Sequence, residues 1–324
     1  MHITRLAAAA VILLIPARVF AFDIVISQWG LGLYGTPFAV AKEKGFFKEE
    51  GADVTGFTGG EGGGTTLRNV LASPVPYGEV AVGAAIAAIN QGVKLTLVHG
   101  GVIGLDDLIW ITRPDSTVNS IQDLKGKSLS YSNPKSVTDM ISILALEKVG
   151  LFNDVKRIAT GGIGAGLTAL GQGAVDVTYI LEPIYSQKLA DGNRYKLAFT
   201  SVSLVPHMTQ SVGVVGTEYL AKNPQQIKAI IAARCKGVAY IRKHPQESAE
   251  ILARAYKLTP AVTKSAIDRV SGSKSPYWSL GGFDYEGMDT VLNGMRRVKA
   301  LAEGTFDWSK VVDERYLSAE CKKN

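Results

Sequence analysis

A glycine-rich loop followed by a short helix and a buried strand occurs twice in this chain, and this repeat constrains its fold most. In the first copy, glycine fills most of residues 59–64, a helical segment follows at 65–72, and an apolar strand is predicted at 77–85. Residues 161–183 repeat the same order. Because each unit must bury a face against a sheet, the repeat predicts two α/β lobes that face each other.

The first glycine loop lies where an α/β sheet is expected to bind ligands. A short strand predicted at 52–57 leads into the loop, so the loop follows the carboxyl end of a strand. Glycine lets a ligand approach main-chain N–H groups, and a helix start offers unpaired N–H donors to an anion. The pattern predicts a site for a small polar or anionic ligand; the alternative is a surface turn without function.

The sequence favours no catalytic, metal or nucleotide site. Gly162, Gly164 and Gly166 do not form a dinucleotide fingerprint, because the helix predicted after them is too short. The histidines are scattered and no Cys-x-x-Cys occurs, so we predict neither a metal nor a cofactor. The net charge of +6 is spread along the chain without a dense basic block, which argues against nucleic acid as a partner.

The N-terminal segment 1–21 has the pattern of a secretory signal peptide. Arg5 precedes an apolar run, and Val19 and Ala21 provide small side chains before a cleavage site after Ala21. We therefore expect an exported, periplasmic protein. No later segment has 18 consecutive apolar residues, so we expect the mature protein to be soluble.

Two cysteines, Cys235 and Cys321, follow this segment. In an oxidising compartment such a pair can form a disulfide, which here would pin the C-terminal tail to a helix. Cys235 lies in an apolar helical pattern, which equally fits a buried free thiol. The sequence leaves both alternatives open.

Five short segments carry a family resemblance, and together they span almost all of the mature chain. They are 39–54, 123–127, 169–176, 219–224 and 307–313. In their order and combination they resemble the substrate-binding proteins of ABC importers, in the nitrate/sulfonate/taurine and thiamine-precursor (NMT1/THI5-like) family.

The resemblance implies a two-lobed α/β architecture, the type II periplasmic-binding-protein fold. Lobe 1 would comprise residues 22–110 and 217–324, and lobe 2 residues 111–216. Crossover strands near 110–113 and 211–216 would form the hinge, and a ligand between the lobes would favour their closure. The implied partners are a small-molecule ligand and an ABC permease, and we expect a monomer without enzymatic activity.

The resemblance also implies a set of ligand-binding positions. They are Gln28, Trp29, Tyr34, Gly62, Gly63, Gly64, Thr65, Ala84, Ala85, Ser132, Ser136, Gly162 and Glu182. Four have structural alternatives: Trp29 and Tyr34 could pack inside their lobe, Ser136 could cap a helix, and Glu182 could form an ion pair across the cleft or cap a helix.

The sequence leaves two chemical classes open for the ligand. Backbone-rich loops at helix starts favour a small organic molecule with an anionic group, whereas Trp29, Tyr34 and Glu182 would suit a pyrimidine ring. An enzyme resembling thiamine-pyrimidine synthase is the least favoured alternative, because that enzyme carries a cysteine-rich motif and this chain has two cysteines. If the glycine loop binds ligand, Gly63→Val should weaken binding far more than folding.

Overall fold

The computed structural model describes residues 21–205, 207–272, 275–304 and 306–323. The predicted signal peptide, apart from Ala21, lies outside these described residues. Within them, no helix combines the length and the apolar character that crossing a membrane requires.

The strands of the described residues belong to two separate sheets. In chain order they are β1 (Phe22–Ser27), β2 (Val54–Gly60), β3 (Tyr77–Ala81), β4 (Leu95–Gly100), β5 (Leu108–Thr112), β6 (Ser128–Tyr131), β7 (Lys156–Ala159), β8 (Val177–Leu181), β9 (Lys196–Thr200) and β10 (Ser211–Gly216). The first sheet has the order β2-β1-β3-β10-β4 and the second the order β7-β6-β8-β5-β9. Both sheets are mixed, because β10 and β5 run antiparallel to their neighbours whereas β1 and β6 pair in parallel.

Helices flank both sheets. In chain order they are α1 (Thr36–Glu43), α2 (Phe46–Glu49), α3 (Gly63–Ala72), α4 (Val82–Asn90), α5 (Val137–Lys148), α6 (Ile163–Gly171), α7 (Ile184–Ala190), α8 (Ser201–Leu204), α9 (Thr217–Lys222), α10 (Pro224–Lys243), α11 (Pro245–Tyr256), α12 (Pro260–Ser271) and α13 (Tyr285–Arg297). Each sheet with its helices forms one lobe, which confirms the predicted two-lobed α/β architecture.

The central strands explain why each lobe holds together. Every residue of β3 and of β8 is buried, as expected for strands that helices cover on both faces. In the first lobe, Glu79 of β3 is also buried and forms an ion pair with Arg234 of α10 at 2.9 Å. This pairing satisfies two charges that would be costly to bury alone.

The chain passes from lobe 1 to lobe 2 between β4 and β5 and returns between α8 and β10, upstream of the crossover strands that the sequence predicts. Trp110 lies inside the second lobe, where its ring stacks on Phe199 at 5.4 Å and its Nε1 donates to Ser201 Oγ at 3.0 Å. Strand β10 pairs with β3 and β4 and so belongs wholly to the first sheet. The sheets therefore place β5 in lobe 2 and β10 in lobe 1.

A disulfide joins Cys235 of α10 to Cys321 in the C-terminal tail. The sequence left a disulfide and a buried free thiol open for these cysteines, and the structure contains the disulfide. It crosses 86 residues of sequence and fixes the tail on the first lobe, where Cys321 is buried beside Gly281.

Candidate functional site

A cavity lies between the two lobes, and we refer to it as the interlobe cavity. Its walls come from strand ends and helix starts of both lobes. The lining residues are Ser27, Gln28, Tyr34, Gly62, Gly63, Ala81, Leu108, Ser132, Ser136, Val137, Thr138, Tyr179 and Leu181.

Lobe 1 forms its wall with the end of β1 and the start of α3. Gln28 follows β1 directly and has a φ of 56°, a left-handed backbone conformation that is uncommon for residues other than glycine. Gly62 has a φ of 82° and is the N-cap of α3, so a side chain there would be strained. The first free N–H groups of α3 therefore begin at the cavity wall.

Lobe 2 forms its wall with three hydroxyl groups at the start of α5. Thr138 Oγ1 lies 2.9 Å from Ser132 Oγ and 3.1 Å from Ser136 Oγ, and it also accepts from the Ser132 backbone N–H at 2.9 Å. Ser136 caps α5 by accepting from Asp139 N at 3.2 Å. The helix-cap alternative for Ser136 and its place on the cavity wall are thus both realised.

Three buried polar atoms on the cavity walls form no hydrogen bond of normal geometry among the described residues. They are Ser27 Oγ and Gln28 Oε1 from lobe 1 and Tyr179 OH from lobe 2. Leaving a buried polar group unpaired costs about 1–3 kcal/mol. Atoms of this kind in a cavity are suited to bind a ligand that supplies the missing hydrogen bonds.

None of the described residues that line the cavity carries a formal charge. The positive ends of α3 and α5 meet there from opposite lobes. Burial raises the pKa of Tyr34 well above its usual range, helped by the nearby Asp107 and Glu79 carboxyls. Burial also raises the pKa of Tyr179. Both phenols therefore stay protonated at neutral pH.

Six of the thirteen residues expected at the site line the interlobe cavity. They are Gln28, Tyr34, Gly62, Gly63, Ser132 and Ser136. The other seven, Trp29, Gly64, Thr65, Ala84, Ala85, Gly162 and Glu182, are not among the lining residues.

Trp29 lies on the far side of the loop and packs within lobe 1. Its ring centroid is 4.5 Å from that of Phe57 and 5.0 Å from that of Tyr256. The indole thus packs inside lobe 1, which is the structural alternative stated for Trp29 from the sequence.

Ala84 and Ala85 lie in a helix, where the sequence predicts a strand. Strand β3 ends at Ala81 and α4 begins at Val82, so the alanines belong to its first turn. Ala85 is fully buried, and Ala84 packs against Gly63, where an added Cβ would lie 3.0 Å from the Ala84 Cβ. Ala84 thus supports the glycine loop from behind.

Glu182 forms an ion pair across the cleft, as one of the structural alternatives to ligand binding proposed from the sequence. Its Oε1 accepts from Arg269 Nε of α12 at 2.7 Å, and its Oε2 accepts from Ser186 N at the start of α7 at 3.2 Å. Glu182 is fully buried. The carboxylate thus joins lobe 2 to lobe 1, away from the cavity wall.

Gly162, Gly64 and Thr65 lie outside the lining of the interlobe cavity. A Cβ on Gly162 would collide with the carboxylate of Glu61, which reaches over from the glycine loop of lobe 1. A Cβ on Gly64 would meet only Arg68, and the Thr65 hydroxyl accepts from Arg68 at 3.0 Å. Gly162 therefore permits a close approach between the lobes.

The sequence interpretation missed seven lining residues, three of which share one position in the fold. They are Ser27, Ala81, Leu108, Val137, Thr138, Tyr179 and Leu181. Ser27, Ala81 and Leu181 are the last residues of β1, β3 and β8. Applying the rule that α/β sheets bind ligands at the carboxyl ends of strands to the first predicted strand would have found Ser27, but not Ala81, because the sequence predicts a strand that runs on to residue 85.

The comparisons with known proteins agree with this geometry. The family model described as NMT1/THI5 like matches residues 33–248. A comparison with curated proteins finds no match. Among solved structures, the chain is similar to the periplasmic aliphatic sulphonate binding protein SsuA from Escherichia coli, at 18% identity and a TM-score of 0.69, covering 87% of this chain and 89% of that chain.

Two further solved structures have the same fold. The periplasmic nitrate-binding protein NrtA from Synechocystis PCC 6803 is similar at 16% identity and a TM-score of 0.72, covering 92% of this chain and 87% of that chain. The desulfurization enzyme DSZB is similar at 14% identity and a TM-score of 0.63, covering 91% and 97%. These likenesses show that the chain has the periplasmic-binding-protein fold.

Proposed function

Because the chain belongs to the NMT1/THI5-like family, we propose that it is an exported solute-binding protein of an ABC importer. It captures a small organic ligand with an anionic group between its lobes and delivers that ligand to a membrane permease. The protein acts as a monomer in the periplasm, and binding involves no chemical change in the ligand.

One observation carries this proposal: the helix starts of α3 and α5 and three unpartnered polar atoms converge on one cavity from both lobes. Main-chain N–H groups and hydroxyls bind oxyanions well, and helix dipoles favour negative charge at these ends. A ligand that pairs with Tyr179 on one side and Ser27 or Gln28 on the other would hold the lobes together.

The same cavity favours binding over catalysis. Its described lining residues include no histidine, cysteine, carboxylate or lysine, so its hydroxyl groups have no adjacent side-chain base. Some similar proteins are named for sulfonate or nitrate binding, which supports an anionic ligand. The likeness to DSZB makes an enzyme the competing hypothesis.

A pyrimidine-type ligand is the second candidate. Gln28 Oε1 is a buried acceptor without a partner, and it would suit a ring N–H donor. The two candidates differ in charge, so one experiment separates them.

A thermal-shift screen of the mature protein tests the proposal. We expect alkanesulfonates or aromatic acids to raise the melting temperature, since a ligand that binds only the folded state stabilises it by mass action. Nitrate and pyrimidines are the comparison compounds. A shift with pyrimidines alone would reject the anionic ligand, and turnover of any compound that shifts the melting temperature would reject a purely binding role.

Tyr179→Phe makes the screen specific for the interlobe cavity. Because the Tyr179 hydroxyl is unpartnered, its removal should preserve or raise the melting temperature of the unliganded protein. The shift given by a bound ligand should fall. Tyr195→Phe is the matched control, because Tyr195 belongs to lobe 2 but does not line the cavity. A full ligand shift in Tyr179→Phe would place the ligand elsewhere.

A further inference from the structure

A chain of buried side chains links the interlobe cavity to the two segments that cross between the lobes. Tyr34 OH, on the cavity wall, donates to Gln210 Oε1 at 2.6 Å. Gln210 Nε2 donates in turn to Asp107 Oδ1 at 2.8 Å. Gln210 and Asp107 are fully buried, so these bonds are shielded from water.

Asp107 and Gln210 occupy equivalent places in the two crossing segments. Asp107 is the last residue before β5, where the chain enters lobe 2, and Gln210 is the last before β10, where it returns to lobe 1. Their side-chain bond therefore ties one crossing segment to the other. The Asp107 backbone carbonyl also accepts from Glu182 N of lobe 2 at 2.9 Å. Rotation of the lobes about these segments would act directly on this pair.

Half of the Asp107 carboxylate lacks a partner in this arrangement. Its Oδ2 and the OH of Tyr277, which faces it, are both buried without a hydrogen bond of normal geometry. The other titratable groups near Asp107 and its tyrosine neighbours are Asp106, Glu79 and Tyr179. Glu79 is already paired with Arg234.

The lobes are closed on each other around this carboxyl. Ser186 Oγ of α7 donates to Ser265 Oγ of α12 at 3.1 Å, and Arg269 pairs with Glu182 across the same boundary. Opening the lobes would expose the wall that carries Tyr34 and admit water toward the Asp107 carboxyl. Water would favour the charged carboxylate, because burial penalises the charged form.

We propose that Asp107 and Gln210 form a proton-dependent switch in the hinge, in which Asp107 takes up a proton as the lobes close. The switch would regulate ligand capture and so rests on the proposed binding function. No bond is made or broken apart from the transfer of one proton from solvent to the carboxylate.

The direction of the pH effect follows from burial. In the closed arrangement burial raises the pKa of Asp107 from its ordinary 3.8 to about 7, although the hydrogen bond from Gln210 opposes this rise. If the open state restores the ordinary value, closure binds a proton between these limits. Closure therefore strengthens as the pH falls below about 7, by at most about tenfold per pH unit.

Small-angle X-ray scattering of the unliganded mature protein tests the switch without a known ligand. The radius of gyration should be smaller at about pH 5.5 than at about pH 8, since protonation favours the closed lobes. Asp107→Asn keeps the acceptor for Gln210 but cannot titrate, so its radius of gyration should be small at both pH values. Asp106→Asn removes the neighbouring carboxylate and should keep the wild-type response.

An identical radius of gyration of the wild-type protein at both pH values would overturn the switch, whether or not the variants fold. So would a pH response that survives in Asp107→Asn. Because no ligand is present, this result is independent of the thermal-shift screen. A protein that closes with falling pH but binds none of the screened compounds would leave the switch intact and reject the proposed ligand class.

Discussion

The two glycine-rich loops are similar in sequence but make different contacts. In lobe 1, Gly62 and Gly63 line the interlobe cavity and lead directly into α3. In lobe 2, Gly162 lies under the carboxylate of Glu61, and a Cβ on Gly166 would lie 2.5 Å from Thr178 Oγ1. The first loop thus forms a wall of the cavity, whereas the second allows close packing and close approach of the lobes.

The difference shows that a repeated sequence pattern does not give both copies the same function. Lobe 2 reaches the cavity with the hydroxyl cluster of Ser132, Ser136 and Thr138 instead of its glycine loop. The repeat gives both lobes a loop between a strand and a helix. Which loop reaches the cavity depends on how the lobes pack together.

The largest effect is expected when valine replaces a glycine in the first turn of the helix that follows each glycine loop. At Gly63 a Cβ would lie 2.7 Å from the Ala81 Cβ, so Gly63→Val overpacks lobe 1. We expect the free energy of unfolding to fall by about 3 kcal/mol in urea denaturation. A Cβ on Gly164 meets open space, so Gly164→Val should cost less than about 1 kcal/mol.

This expectation replaces the one drawn from the sequence, that Gly63→Val would weaken binding far more than folding. The collision with Ala81 arises inside lobe 1, so it damages folding whether or not ligand is present. Equal stability of Gly63→Val and Gly164→Val would mean that the two loops pack alike, and the contrast between them would fail.

The second-largest effect is expected from a substitution in the hydroxyl cluster that forms lobe 2's wall of the cavity. Thr138→Val keeps the shape of the side chain but removes the acceptor of the buried Ser132 N–H, so it should lower the free energy of unfolding by about 1–3 kcal/mol. Ligand affinity should fall as well, because the hydroxyl lines the cavity. Chemical denaturation and ligand titration of the same samples measure both quantities.

Thr168→Val is the matched control for this change. Thr168 is exposed on α6, the helix of the second glycine loop, and its hydroxyl donates only to Gly164 O at 3.0 Å. Its stability should change by less than about 0.5 kcal/mol, and its ligand affinity should not change. If Thr168→Val weakened binding as much as Thr138→Val, the glycine loop of lobe 2 would belong to the site after all.

The sequence predicts the architecture well, because apolar runs and glycine turns are local features. It misplaces the end of β3, because the alanine-rich segment after Ala81 is continuously apolar and such a run does not distinguish a buried strand from a buried helix. It misses Tyr179 because nothing local distinguishes a cavity-facing tyrosine from a core tyrosine. Glu182 and Trp29 were placed by analogy, and their positions depend on contacts with distant residues, Arg269 and Tyr256.

The smallest effect is expected when alanine replaces Gly64 or Gly164, which hold the same position in their helices and have space for a side chain. Added Cβ atoms on Gly64 and Gly164 meet at most Arg68 at 3.8 Å, so alanine at either should stabilise its helix by up to about 1 kcal/mol. Gly64→Ala should leave ligand affinity unchanged, because Gly64 does not line the cavity. Isothermal titration of Gly64→Ala against Gly164→Ala measures this. A loss of affinity in Gly64→Ala alone would extend the cavity wall one residue further into α3 and restore Gly64 to the binding site.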